Sequence, residues 1–112
     1  MSQLTTHILD TSTGLPATNV QVKLYAFNEN NWLFIAEGKT NTSGRLTDLL
    51  TTEQLLKQGT YKLHFDTAGY FAQTTTRHFF PFVEIVFSVS ANEHYHVPLL
   101  LNPFGYSTYR GS

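Results

Sequence analysis

Apolar and polar residues alternate along most of this chain, as they do in strands that bury one face and leave the other wet. In "VQVKLYAF", Val20, Val22, Leu24 and Ala26 share one side, and Gln21, Lys23, Tyr25 and Phe27 the other. In "YKLHFDT", Tyr61, Leu63 and Phe65 oppose Lys62, His64 and Asp66. "QLTTHILD", "WLFIAEGKT", "VEIVFSVS" and "EHYHVPLLL" also read as strands, and "GYSTYRGS" closes the chain as a last short one. Clusters of turn residues separate them: "TSTGLPATN", "NENN" and "NTSGR", the last with Gly44 free to take a positive φ.

Two segments break the alternation. "LLTTEQLLKQG" predicts a turn or two of helix, with Thr51 or Thr52 as cap, Glu53 and Gln54 in the first turn and Gly59 as stop. "AGYFAQTTTR" predicts a short helix or a loop crossing the end of a sheet. Pro98 interrupts "HYHVPLLL"; lacking an N–H, it is expected on an edge strand or at the rim of a groove. Seven or eight short strands, one short helix and regular turns predict an all-β, two-sheet β-sandwich with Greek-key-like connections. Strand order does not follow from the pattern.

Composition narrows the function. The 112 residues suit a single domain spanning 1–112, and a 41% apolar content supplies a core without disulfides or metals. A net charge of -1, with seven basic and eight acidic residues dispersed, argues against a nucleic-acid partner and against polybasic attachment to a membrane. There is no cysteine, so thiol nucleophiles are excluded. With no secretory signal pattern and no apolar run near membrane-spanning length, the expected location is the cytoplasm.

The candidate chemistry lies in the histidines. His94 and His96 stand two apart in a strand and project from one face. They are a solvated pair, or a metal pair lacking a third ligand because Glu93 points the other way, or, for His96, a base beside the apolar "VPLLL" run. Taken alone, His7 reads as structural and Arg45, after the turn glycine of "SGR", as a solvated cation. His64 and His78 carry no assigned role. In the tail, Tyr109 falls on one face and Arg110 on the other. No G-x-S-x-G elbow and no glycine-rich phosphate loop is present.

Taken together, "HILDTSTGLPA", "TNTSGR" and "HYHVPLLLNPFGYSTYRGS" resemble the transthyretin-related protein family, the 5-hydroxyisourate hydrolases, over the whole chain. The middle segments "LTTEQLLKQGTYKLHFDT" and "VEIVFSV" fit as well. The terminal "YRGS" is the most specific element, since the hormone-carrying transthyretins lack it and lack the His–Arg–His set.

The resemblance implies a transthyretin-like sandwich of two four-stranded sheets. It also implies edge-to-edge pairing of two subunits through their last strands, and a homotetramer built as a dimer of dimers around a channel holding the active sites. It implies hydrolysis of the cyclic amide of a small-molecule substrate, 5-hydroxyisourate, to 2-oxo-4-hydroxy-4-carboxy-5-ureidoimidazoline in urate breakdown. No cofactor and no metal are implied. His7, Arg45, His96 and Ser112 are the implied catalytic groups, with His7, Arg45 and Tyr109 binding substrate. Either His7 or His96 would activate water, Arg45 would stabilise the oxyanion, and Ser112 or the terminal carboxylate would orient a histidine. The rivals are a small-ligand carrier without chemistry, a plain assembly module and a zinc hydrolase.

Overall fold

The computed structural model describes residues 2–112. Nine strands and one helix follow in order: β1 (Leu4–Asp10), β2 (Leu15–Pro16), β3 (Gln21–Asn28), β4 (Asn31–Lys39), β5 (Arg45–Leu46), β6 (Gly59–Phe65), α1 (Thr67–Ala72), β7 (Val83–Val89), β8 (Tyr95–Asn102) and β9 (Gly105–Thr108). One sheet runs β4-β3-β6-β7, all antiparallel. The other runs β2-β1-β8-β9, with β5 also paired to β1. The outer place beside β1 is shared by two short segments. β2 meets Leu9 and Asp10, and β5 meets Thr6 and His7. β1 and β8 are parallel neighbours from opposite ends of the chain, a pairing that turn lengths and periodicity do not reveal.

The core lies between the sheets and uses the faces that the alternation predicts. Val22 and Leu24 of β3, Leu63 and Phe65 of β6, Leu4 and Ile8 of β1, and Leu99 of β8 are fully buried. The polar groups caught among them are satisfied. Thr6 Oγ1 donates to the Val97 carbonyl at 2.6 Å, and Thr40 Oγ1 donates to Ala17 O at 2.7 Å while accepting from Val20 N. Among the described residues, no buried side-chain nitrogen or oxygen lacks a partner, which avoids the cost of an orphaned polar group in the interior.

Helix α1 forms in the second of the two ambiguous segments. Asp66 caps it by accepting from Gly69 N at 3.0 Å, and Phe71 anchors it in the core. Tyr70 donates to Asp10 Oδ2 at 2.7 Å and ties it to β1. The helix expected in "LLTTEQLLKQG" does not form. That segment is a run of turns and bends, with Leu49 and Leu50 buried but Leu55 exposed. Two of its amides are met from the chain's first residues instead of from the preceding helical turn. Leu50 N donates to Ser2 Oγ at 3.1 Å, and Leu56 N donates to Gln3 Oε1 at 2.8 Å. Side-chain acceptors from the segment before β1 compete with a helix too short to nucleate by itself.

Pro98 also departs from expectation. It lies inside its sheet, in β8 between β1 and β9, and is buried. The β8–β9 register runs from Leu99↔Thr108 to an isolated bridge at His96↔Gly111, so Pro98 stands opposite Tyr109. Pro98 cannot donate there, and β9 ends at Thr108, whose Oγ1 donates to the Pro98 carbonyl at 2.7 Å. The missing donor is accommodated by a gap in the ladder and not by an edge.

Candidate functional site

On β1 the core-facing residues are Leu4, Thr6 and Ile8, so Thr5 and His7 face outward. On β8 the core takes Tyr95, Val97 and Leu99, leaving His96 outward beside the preceding His94. Pairing joins these positions. Thr5 lies opposite His96, and His7 lies opposite Pro98 on one side and Arg45 of β5 on the other. His7, Arg45 and His96 come from three separated parts of the sequence and meet on the outer face of one sheet.

The turn before Arg45 explains its position. Asn41 Oδ1 accepts from Ser43 N at 2.9 Å and Arg45 N at 3.0 Å, and Gly44 N closes the turn on Asn41 O at 2.9 Å. Gly44 has φ +72, and a Cβ there would lie 2.5 Å from the Ile8 carbonyl oxygen. Only glycine permits both the left-handed backbone and the close approach to β1. Ile8 N donates to Gly44 O at 2.8 Å and fixes the turn against the strand.

A cavity of about 170 Å³ opens here, lined by Thr5, Arg45, Thr47, His94, His96 and Ser112. The imidazoles of His94 and His96 lie nearly parallel, 6.4 Å apart at 16°. Thr5 Oγ1 hydrogen-bonds both, His94 Nε2 at 3.0 Å and His96 Nδ1 at 2.8 Å. The tail arrives through Gly111, whose N–H donates to the His96 carbonyl at 2.8 Å. A Cβ on Gly111 would overlap Cδ2 of the His96 ring and sit 3.3 Å from Pro98 Cγ, so the tail crosses the ring where no side chain fits.

Both predicted histidines are held below the ordinary imidazole pKa. For His96 the largest cause is burial, followed by the charges of His94, Arg45 and His7; the Thr5 backbone carbonyl opposes them. For His7 burial again leads, then Arg45, with the Ser43 carbonyl opposing. Burial and neighbouring cations both disfavour the imidazolium. At neutral pH both rings are therefore neutral and able to accept a proton.

Of the predicted site residues, Arg45, His96 and Ser112 line the cavity, and His7 stands beside it on the same face. Tyr109 does not line it. That ring is 59% exposed and borders a second cavity of about 350 Å³ with Ile85, Phe87, Tyr95 and Arg110; His96 reaches both. Arg110 stacks over the Tyr95 ring at 4.7 Å and pairs with Glu93 at 3.0 Å, away from the histidines. Thr5 and Thr47 are cavity residues that the sequence did not single out. Thr5 had one available signal: it shares His7's face, two residues before it. Among the described residues, no three His, Cys, Asp or Glu side chains gather as a metal cradle, and no helix is long and apolar enough to cross a membrane.

The model of the HIUase/Transthyretin family matches residues 4–111. A 5-hydroxyisourate hydrolase of Mus musculus is 45% identical, over 99% of this chain and 96% of that protein. A probable 5-hydroxyisourate hydrolase of Schizosaccharomyces pombe is 43% identical, over 97% and 90%. Among solved structures, the 5-hydroxyisourate hydrolase of Klebsiella pneumoniae superposes with a TM-score of 0.86 at 38% identity, covering 97% of this chain and 98% of that one. Sea bream transthyretin in complex with thyroxine superposes with a TM-score of 0.91 at 33% identity, covering 98% and 95%. The fold is common to these hydrolases and to the transthyretin, and of these four proteins the hydrolases have the higher sequence identity. With a family model covering nearly all of its length and relatives above 40% identity end to end, the chain belongs to the HIUase/Transthyretin family.

Proposed function

We propose that this chain is an enzyme that hydrolyses the cyclic amide of 5-hydroxyisourate, the substrate in the names of its relatives from mouse and fission yeast. The observation that carries this reading is that Arg45, His96 and Ser112, remote in sequence, line one small cavity, with His7 beside it on the same sheet face. A carrier of apolar aromatic hormones has no use for neutral imidazoles facing a guanidinium. A hydrolase needs a base, an oxyanion partner and a proton route.

In the proposed reaction a water oxygen attacks the amide carbonyl carbon while its proton passes to Nε2 of His96. A positioned base of this kind contributes about a hundred- to ten-thousandfold in rate. The carbonyl oxygen becomes an oxyanion facing Arg45, a fixed cation worth roughly 3 kcal/mol at the transition state. Collapse breaks the ring C–N bond, the nitrogen takes back the proton held on Nε2 of His96, and the new carboxylic acid releases its proton to water, leaving the ring-opened carboxylate and a neutral imidazole. His7, next to Arg45, lies on the side from which substrate polar groups are held. Ser112 closes the pocket from the tail, and Tyr109 contributes from the neighbouring cavity. The working unit is a homotetramer in which protomers enclose this face.

The direct test follows loss of 5-hydroxyisourate absorbance with and without the protein. Acceleration that disappears in His96→Ala is the expected result. Decay at the spontaneous rate with the intact protein would overturn the reading.

A further inference from the structure

The hydroxyl of Thr5 meets two ring nitrogens at once, His94 Nε2 at 3.0 Å and His96 Nδ1 at 2.8 Å. A hydroxyl has one proton to give. At a pH high enough that both rings are deprotonated to the neutral form, one contact uses that proton and the other must use a proton carried by an imidazole. Two arrangements satisfy this. In one, Thr5 donates to His96 Nδ1, the His96 proton sits on Nε2, and an N–H faces the cavity. In the other, His96 Nδ1–H donates to Thr5, Thr5 donates onward to His94 Nε2, and His96 Nε2 offers a lone pair.

The surroundings of His96 favour the second. The charged and titratable groups facing the ring are Arg45 from β5, His7 from β1, His94 from the approach to β8 and Ser112 from the tail. Arg45 lines the same cavity as His96, and a nearby guanidinium favours the acceptor end of an imidazole over its N–H end. Among the described residues, no side chain other than Thr5 hydrogen-bonds the His96 ring.

We propose that Thr5, its own hydroxyl proton directed by His94, is the positioning residue that holds the proton of His96 on Nδ1 and leaves Nε2 as the base. This rests on the assignment of His96 as base. When Nε2 takes the proton of water, the ring becomes an imidazolium and its Nδ1–H···Oγ contact becomes a charge-assisted hydrogen bond, stronger than before the transfer. The threonine thus acts in the transition state more than in substrate binding.

Nitrogen-15 NMR of histidine-labelled protein at alkaline pH reads the tautomer directly, and the expected neutral form of His96 carries its proton on Nδ1. Thr5→Val keeps the shape and removes the hydroxyl. It is expected to lower kcat about tenfold with KM within about twofold, and to mix the two His96 tautomers. Thr5→Ser restores the hydroxyl and recovers most of the turnover. His94 is exposed, so His94→Ala tests the same idea without touching the interior; it frees the Thr5 proton to turn toward His96 and increases the Nε2–H form. A parent protein with His96 protonated on Nε2, or Thr5→Val with parental kcat, overturns the proposal. His96→Asn separates the two levels. If it retains full turnover, the base assignment fails and this inference with it. If it is inactive while Thr5→Val is as fast as the parent, only the inference about Thr5 fails.

Discussion

Two neutral imidazoles beside a guanidinium make a pH prediction with a definite sign. His7 and His96 are both held below the usual imidazole value, chiefly by burial and secondarily by Arg45 and their neighbours. A step that needs the neutral ring runs at full rate above that depressed pKa and fails as pH falls through it. The acid limb of kcat/KM is therefore expected to have its midpoint below about 6.5. Arg45→Gln removes one of the depressing charges and leaves burial in place. Its midpoint is expected to move part of the way toward 6.5, while turnover drops at least about tenfold from the lost oxyanion partner. A parental midpoint above 6.5, or one unmoved by the substitution, would reject this electrostatic account. Stability has the same sign: the unfolded chain binds these protons more readily, so stability contributed by the neutral rings is lost as pH falls below the unfolded value. How far these residues were legible depended on the residue. His96 could be suspected from "HYH", where two imidazoles share a face. His7 and Arg45 became candidates only through family resemblance, because neither carries a local signal. Thr5 offered only its place on His7's face, and nothing in a threonine's sequence surroundings says that its hydroxyl will lie between two rings 89 and 91 residues away.

Among the elements, two glycines bear loads of different kinds. Gly44 holds a left-handed turn pressed on β1. Gly44→Ala forces φ +72 on an L side chain and drives its Cβ into the Ile8 carbonyl; a cost of about 1–3 kcal/mol follows, so thermal unfolding is expected at least roughly 5 °C lower. An unchanged Tm would mean that the turn relaxes freely. Gly111 belongs to an exposed tail, and its substitution should act elsewhere. Gly111→Ala displaces the His96 ring, so turnover is expected to fall about tenfold while Tm shifts little; full activity in this variant would detach the tail from the site. The two glycines also illustrate what pattern can reveal about elements. "NTSGR" announced its positive φ because turn chemistry is local. The crossing at Gly111 depends on the parity of a strand pair interrupted at Pro98, which only the β8–β9 register supplies. The expected helix at "LLTTEQLLKQG" failed for a related reason. Its capping letters were right for a helix, but Ser2 and Gln3, which precede β1 and are remote in sequence, outcompeted the helical bonds.

For the molecule as a whole, the sandwich could be read from alternation, because the two faces of strands such as β3, β6 and β7 meet two different environments. The parallel contact of β1 with β8 could not, and that contact is what assembles the site. The assembled face is then only half a pocket: Arg45, His94 and Ser112 remain exposed, as does Tyr109 at 59%. A hydrolytic site working on a charge-separated transition state gains from exclusion of bulk water, since the pull of Arg45 on an oxyanion weakens in high dielectric. A second protomer laid over this face would supply that exclusion. Light scattering is accordingly expected to find four chains per particle. Because assembly follows mass action, dilution through the dissociation range should lower turnover per chain in step with loss of the tetramer. Removal of Tyr109 to Ser112 offers the complementary test. β9 remains paired to β8 through Thr108, so the truncated chain should still fold, yet it loses Ser112 from the cavity and Gly111 from the His96 ring. Hydrolysis is expected to disappear in it with most of the thermal stability retained. A truncated protein that turns over substrate at the parental rate, or a monomer as active as the undiluted protein, would show that a single open face suffices and that neither the tail nor a neighbour takes part.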